Sequence, residues 1–259
     1  MSQQSRVLPV SAGVKWFKLA FEATRREPIT LMGVVLCYIL SMSFLSVLPY
    51  VGPVFAALFM PFGTVFIGLN TRDVLRGKSP SFAMLPELWR DPSVRQSLIR
   101  IGLVFGFILI TVNALYGFLA ADDIARWTIT ENDRLDWASV RANWPWTATV
   151  AMLVVYIPGL MAVWFAPLLA SELHMPCGKS LFYSFFGVVR NLGPILCLLA
   201  LLFAFTVGIS VVSVWLVYAL ELNSSAFVIL TPIAFLLSTF LYASYWPMYA
   251  DLFDDVARE

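Results

Sequence analysis

Trp164–Pro194, WFAPLLASELHMPCGKSLFYSFFGVVRNLGP, is the stretch whose reading decides the fold. It holds the end of a very apolar segment, a polar corner and a short aromatic-rich segment with few charges. It closes at Arg190-Asn191, before a proline that opens the next apolar run. Weaker versions of the same succession occur near residue 12 and near residue 80. The pattern predicts a polytopic membrane protein built from a repeated unit, and it says little about biochemical activity.

Composition sets the class. Of 259 residues, 60% are apolar and only 13% charged, with a mean hydropathy of +0.81. Ordinary soluble domains carry about 25% charged residues, so this chain could not cover a water-facing surface. It reads as one polytopic membrane domain over residues 1–259. A net charge of +1 gives no reason to expect a nucleic-acid partner. Cys37, Cys177 and Cys197 have no metal or redox spacing, and no disulfide is expected. The N-terminus lacks the basic-then-apolar plan of a cleavable signal peptide, so the first span is expected to stay in the mature protein.

Charge-free runs locate the spans, because a helix needs about 20 apolar residues to cross the bilayer core and a charge at its centre costs at least about 2.5 kcal/mol. Uncharged residues fill 28–71, 101–121, 142–171, 191–220 and 222–250. The first run is too long for one span, and Pro49-Tyr50-Val51-Gly52-Pro53 near its middle favours a tight turn. Six transmembrane helices follow, at about 29–48, 53–70, 98–121, 147–170, 193–220 and 226–250. An even count puts both termini on one side. All but three of the 17 basic residues then share that side, the exceptions being Arg126, Arg134 and Arg141 in an outer loop, 122–146. The positive-inside bias makes the termini cytoplasmic.

Three short amphipathic segments precede the three hairpins. In Ala12–Glu27, Lys15, Lys18, Glu22, Arg25 and Arg26 recur at helical steps, and Trp16, Phe17, Ala20, Phe21 and Ala23 cover the remaining surface. Such a helix suits the plane of the membrane interface. The segment from Pro80 to Arg95 carries Phe82, Leu85, Leu88 and Trp89 at helical spacing but is divided by Pro86 and Pro92. Gly178–Arg190 has Leu181, Phe182, Phe185, Phe186 and Val189 as its stripe. Laid over each other, the first and third segments place Lys15 on Lys179, Phe21 on Phe185 and Arg26 on Arg190. Repeated units commonly enclose a site at their interface. The fold class expected is therefore all-α integral membrane: three hairpins, each preceded by an amphipathic interfacial helix. The outer loop, with Trp127, Trp137, Trp144 and Trp146, is expected to lie on the outer surface.

Little in the chain promises chemistry. His174 stands two residues from Glu172, and one histidine with one carboxylate is too few for a zinc site. No HExxH, GxSxG or phosphate-binding glycine loop occurs. No catalytic, cofactor-binding or metal-binding residue is assigned, and an enzyme is not expected. Asn113 is the most polar residue near the middle of a span, and the absence of central ionisable groups speaks against a proton-coupled carrier. Pro61, Pro158, Pro167 and Pro232 interrupt spans, which a packed bundle tolerates and which can also expose backbone for binding. Gly102-x-x-x-Gly106 offers a close-packing face for a contact within the chain or between chains. The acidic run Glu131-Asn-Asp133 and the terminal Asp251, Asp254 and Asp255 read as solvated. Lys15, Lys18, Arg25, Arg26, Arg72, Arg76, Lys78 and Arg190 are the candidate contacts for phospholipid headgroups, beside their part in topology.

Met161-Ala-Val-Trp164-Phe-Ala-Pro167, the helix ending Arg190-Asn191 and the closing Leu241-Tyr-Ala-Ser244-Tyr245 together resemble a family of uncharacterised proteobacterial six-span inner-membrane proteins. So do Gly13-Val-Lys-Trp16 and the Pro49–Pro53 hairpin. The family looks related to the membrane domain fused to some glycerophosphodiester phosphodiesterases. The resemblance covers nearly the whole chain and implies a bacterial inner-membrane protein without a known catalytic role. This chain departs from the usual pattern in its longer Trp-rich outer loop.

The leading expectation is a non-enzymatic, lipid-interacting membrane protein or an accessory subunit. The alternative is a transporter or channel for a lipid-like or apolar molecule. An enzyme acting on lipid headgroups would need Glu172, His174 and a further carboxylate to converge. The partners expected are membrane phospholipids, with a homo-oligomer or a larger membrane complex left open.

Overall fold

The computed structural model describes residues 6–48, 52–130, 132–222 and 225–253. The expected turn at Pro49–Val51, and Glu131, Asp254, Asp255 and Arg258, lie outside these residues. The described chain is helical: α1 (Ala12–Arg26), α2 (Pro28–Ser46), α3 (Gly52–Leu75), α4 (Met84–Arg90), α5 (Pro92–Ile124) and α6 (Trp137–Ala142) make its first half. The second half is α7 (Trp146–Trp164), α8 (Ala166–Glu172), α9 (Cys177–Arg190), α10 (Leu192–Ala219), α11 (Ala226–Ala243) and α12 (Tyr245–Phe253). Among the described residues, helices long and apolar enough to cross a membrane number six: α2, α3, α5, α7 with α8, α10, and α11 with α12.

Prolines set the boundaries. Pro28 and Pro92 open α2 and α5 from the first turn, where a missing N–H does least harm. Asp91 caps α5 by accepting from the N–H groups of Ser93 at 2.8 Å and Val94 at 3.3 Å. The divided segment at 80–95 is therefore one short helix, α4, with Arg95 already on α5. Pro86 falls in the first turn of α4 and breaks nothing. Pro61, Pro158 and Pro232 sit inside unbroken helices, whereas the span around Pro167 parts at Phe165 into α7 and α8. The last span parts at Ser244, three residues before Pro247. In each case the proline ring and its missing N–H remove the preceding turn's hydrogen bond.

The core gathers Trp16, Leu31, Leu98, Ile101, Leu168, Leu198 and Leu252, all fully buried in one cluster. Large apolar side chains on the outer faces of the spans, such as Phe107, Phe118, Phe203 and Phe227, stay exposed, as lipid-facing positions do. Gly102 explains how tightly α5 meets α3. A Cβ there would lie 2.5 Å from the Leu58 carbonyl oxygen, so the GxxxG face serves a contact within the chain.

Two features differ from the interfacial-helix picture. Trp16, Ala20 and Ala23 of α1 are fully buried, because α1 is seated against α10 and α11. Gly13 allows that seat, since a Cβ would meet the Pro194 carbonyl oxygen at 2.5 Å. Much of the apolar face of α1 is thus spent on protein. The hairpins α2–α3 and α5–α7 pack closely, but α10 and α11 touch sparsely. Phe17 of α1 wedges between them, edge-on to Phe205 at 5.7 Å and to Phe240 at 5.0 Å. In the same way α9 packs on α7 and α8, and α4 on α3 as well as α5.

The outer loop is ordered by short-range bonds. Ile129 and Leu135 form an isolated antiparallel bridge, Asp136 caps α6, and the Trp127 indole donates to the Asn143 carbonyl at 3.1 Å. Trp137 and Trp146 remain exposed.

Candidate functional site

The two broken spans meet. At the first break the Phe165 N–H and the Met161 carbonyl, which would bond each other in an unbroken helix, are bridged by the Ser184 hydroxyl of α9. That hydroxyl accepts from Phe165 N–H and donates to Met161 O, both at 2.8 Å. Another carbonyl at the break, that of Trp164, accepts from the Tyr245 phenol at 2.5 Å. Tyr245 belongs to the second break, and its ring stacks on Phe165 with centroids 5.7 Å apart. The backbone groups freed at the first break are thus satisfied by α9 and by the second break, as an apolar surrounding demands.

Beside this joint lies an apolar cavity of about 260 Å³ between α3, α7, α10 and the α11–α12 pair. Met60, Leu160, Trp164, Leu202 and Met248 line it, with Thr64, Tyr242 and Ser244 as its few polar groups. The Thr64 and Ser244 hydroxyls are bonded to their own helices. A second cavity of about 400 Å³ adjoins it at Leu241 and continues along α10 and α11 past Thr206, Ser210, Ser213 and Ser238. From Met248 to Leu230 the two run about 27 Å along the last span at the 1.5 Å rise of a helix, close to the roughly 30 Å of a bilayer core. Because α10 makes no extended contact with α3 or α7, the crevice follows an open seam of the bundle.

At the end of the bundle that carries α1, polar side chains join the units. Arg72 Nη1 donates to both Glu172 oxygens, at 3.1 and 2.9 Å, and its Nε donates to Asp73 at 2.9 Å. The guanidinium lies 5.6 Å from the Trp246 ring centroid. His174, in the left-handed region at φ 51°, reaches Asp91 at 3.2 Å. The Val94 backbone N–H, assisted by Ser93 and by His174, holds the Asp91 carboxyl below the usual aspartate range. Lys15 and the Trp16 indole both donate to Asp251 at 2.9 Å. Asn191, fully buried, accepts from Leu8 N–H at 2.9 Å and donates to the Arg6 carbonyl at 2.8 Å. Asn70, equally buried, accepts from Ser81 N–H and donates to the Phe66 carbonyl. Asn191 is marked in sequence only as the close of its stretch, and Asn70, inside α3, carries no such mark.

The expected headgroup contacts divide accordingly. Lys15, Arg26 and Arg72 are engaged within the protein, Arg26 with Glu22 and the Val74 and Leu75 carbonyls. Lys18, Arg25, Arg76 and Lys78 are exposed, and their side chains make no hydrogen bond or ion pair among the described residues. Arg190 is exposed at the end of α9. Glu172 and His174 do not converge on one point: Glu172 is held by Arg72, and His174 by Asp91. Among the described residues no group of three or more His, Cys, Asp or Glu side chains could hold a metal. The three cysteines are free.

No family model matches the chain, and no solved structure matches it. A protein of Burkholderia thailandensis named "probable inner membrane protein" is similar to it. The two are 27% identical, with 96% of this chain and 94% of the relative aligned. The six apolar helices and that full-length likeness make this chain a helical, multi-pass inner-membrane protein.

Proposed function

We propose that the protein holds membrane lipid within its own bundle and catalyses no reaction, with both termini in the cytoplasm. The observation that carries this is the apolar crevice along α10 and α11, open at a seam and long enough to take an acyl chain. Protein cannot leave such a seam empty inside a bilayer, and lipid is the solvent at hand. Kinship with the membrane domain of glycerophosphodiester phosphodiesterases is part of the same proposal, since that domain too works among lipids. The basic residues of 72–100 and of α1 support the cytoplasmic orientation.

Native mass spectrometry of the full chain released from mild detergent, with the retained lipids identified, is the direct test. Bound phospholipid is expected, and it should fall sharply in Ala234→Trp, which fills the crevice from a lining position. A wild-type protein that emerges free of lipid overturns the proposal. For orientation, a reporter fused after Glu259 should be active in the cytoplasm and silent in the periplasm.

A carrier for an apolar or lipid-like molecule is the second reading. Two interrupted spans meeting at one end of the crevice favour it, because broken helices are where alternating-access proteins bind and bend. Flip or efflux of a labelled lipid by proteoliposomes would support it over simple retention.

A further inference from the structure

On the α1 side of the α10–α11 pair, adjoining the crevice at Ile233 and Leu237, is a further groove of about 330 Å³. Phe21, Pro28, Phe205, Ile209, Leu236 and Phe240 form its sides, and Phe17 packs edge-on to Phe205 and Phe240. Along α11, from Phe240 to Ile233, it extends about 10 Å, most of the depth of one leaflet of a core roughly 30 Å thick. Phe21, Ile209 and Leu236 are exposed, so the groove opens to the surroundings of the bundle.

The groove has one charged residue, Arg25, at its α1 end. The only other polar lining group, the Thr24 hydroxyl, donates to the Ala20 carbonyl at 2.9 Å and is taken up. Neighbouring acids are engaged elsewhere: Glu22 pairs with Arg26, and Glu27 accepts from Thr30 at 3.0 Å and from Ser79 at 3.4 Å. The Arg25 side chain makes no hydrogen bond or ion pair among the described residues. Lys18, likewise exposed and without such a bond, stands two helical turns back on the same side of α1 as Phe21 and Arg25. An apolar slot most of one leaflet deep, with the open cation Arg25 at its end and Lys18 farther along the same side of α1, is complementary to an anionic phospholipid.

We infer that this groove binds one anionic phospholipid, an acyl chain lying between α1, α10 and α11 and the phosphate on Arg25, with Lys18 adding to the positive field that attracts the lipid's net negative charge. The inference rests on the lipid-holding function proposed above but concerns a second site with its own headgroup preference.

The test titrates the full chain in nanodiscs with phosphatidylglycerol against phosphatidylethanolamine and reads bound lipid by native mass spectrometry. Phosphatidylglycerol is expected to be enriched. Arg25→Gln should cut that enrichment about fivefold, and Lys18→Gln with it about twenty-five-fold, as each juxtamembrane cation contributes about a factor of five. Leu236→Trp, at an exposed lining position, should expel this lipid while leaving the one sensitive to Ala234→Trp. Equal retention of the two lipids overturns the inference and spares the crevice. So does enrichment unchanged by Arg25→Gln and Leu236→Trp together. A dimer that Leu236→Trp dissociates, with lipid content unaltered, would mean that a second copy covers the groove, and overturns it too.

Discussion

Gly102 shows how one residue settles a contact that sequence leaves open. Its GxxxG spacing is legible on the page, but whether the partner helix comes from the same chain depends on the approach of Leu58, far back in sequence. Gly102→Ala drives a methyl into a backbone carbonyl that no rotamer change can move, so a loss of about 1–3 kcal/mol is expected, read as a lower melting temperature in detergent. Gly117, with nothing near its Cβ position, serves as the control. His174 was legible as a lone histidine and no more. Its left-handed backbone and its reach to Asp91 depend on where α8 stops, and no local pattern gives that. The cations of α1 show the same limit. Their spacing marks a helical stripe, but only the fold separates Lys15, paired with Asp251, from Arg25, which stays open.

The helical elements were largely readable because charge-free length is a signal that tertiary contacts rarely override in a bilayer. All six spans lie where the uncharged runs put them. Their interruptions were only partly readable. Proline is the right residue to suspect, yet three of four suspected prolines sit in continuous helix, while Pro247 marks a break through Ser244. The difference lies in what receives the orphaned groups: Ser184 and Tyr245 reach the break near Pro167 from other elements. Ser184→Ala should strand Phe165 N–H and Met161 O. The expected cost is about 1–3 kcal/mol, seen as faster hydrogen exchange around Phe165. Unchanged exchange there would show that the two groups bond each other once the hydroxyl is gone. The amphipathic pattern of α1 predicted a helix correctly but not what it covers, since lipid and protein both accept an apolar face.

At the scale of the whole molecule, Arg72 joins three units: it stands on α3, binds Glu172 of α8 and lies over Trp246 of α12. Removing one partner of a partly buried pair leaves the other charge uncompensated. Glu172→Gln should therefore destabilise by about 1–3 kcal/mol. A double-mutant cycle with Arg72→Gln should show coupling, whereas Glu87→Gln in the same polar pocket should be near neutral. The seat of α1 has a consequence in time. Residues 6–26 are the first described part of the chain to leave the ribosome, and beside α2 and α3 their partners are Asn191, α10, α11 and Asp251, which follow much later in the chain. Of the described helices α1 is made first, and the groups that bury Trp16 from α10, α11 and Asp251 are made after the other spans, so α1 can complete its seat only once those later helices are in place.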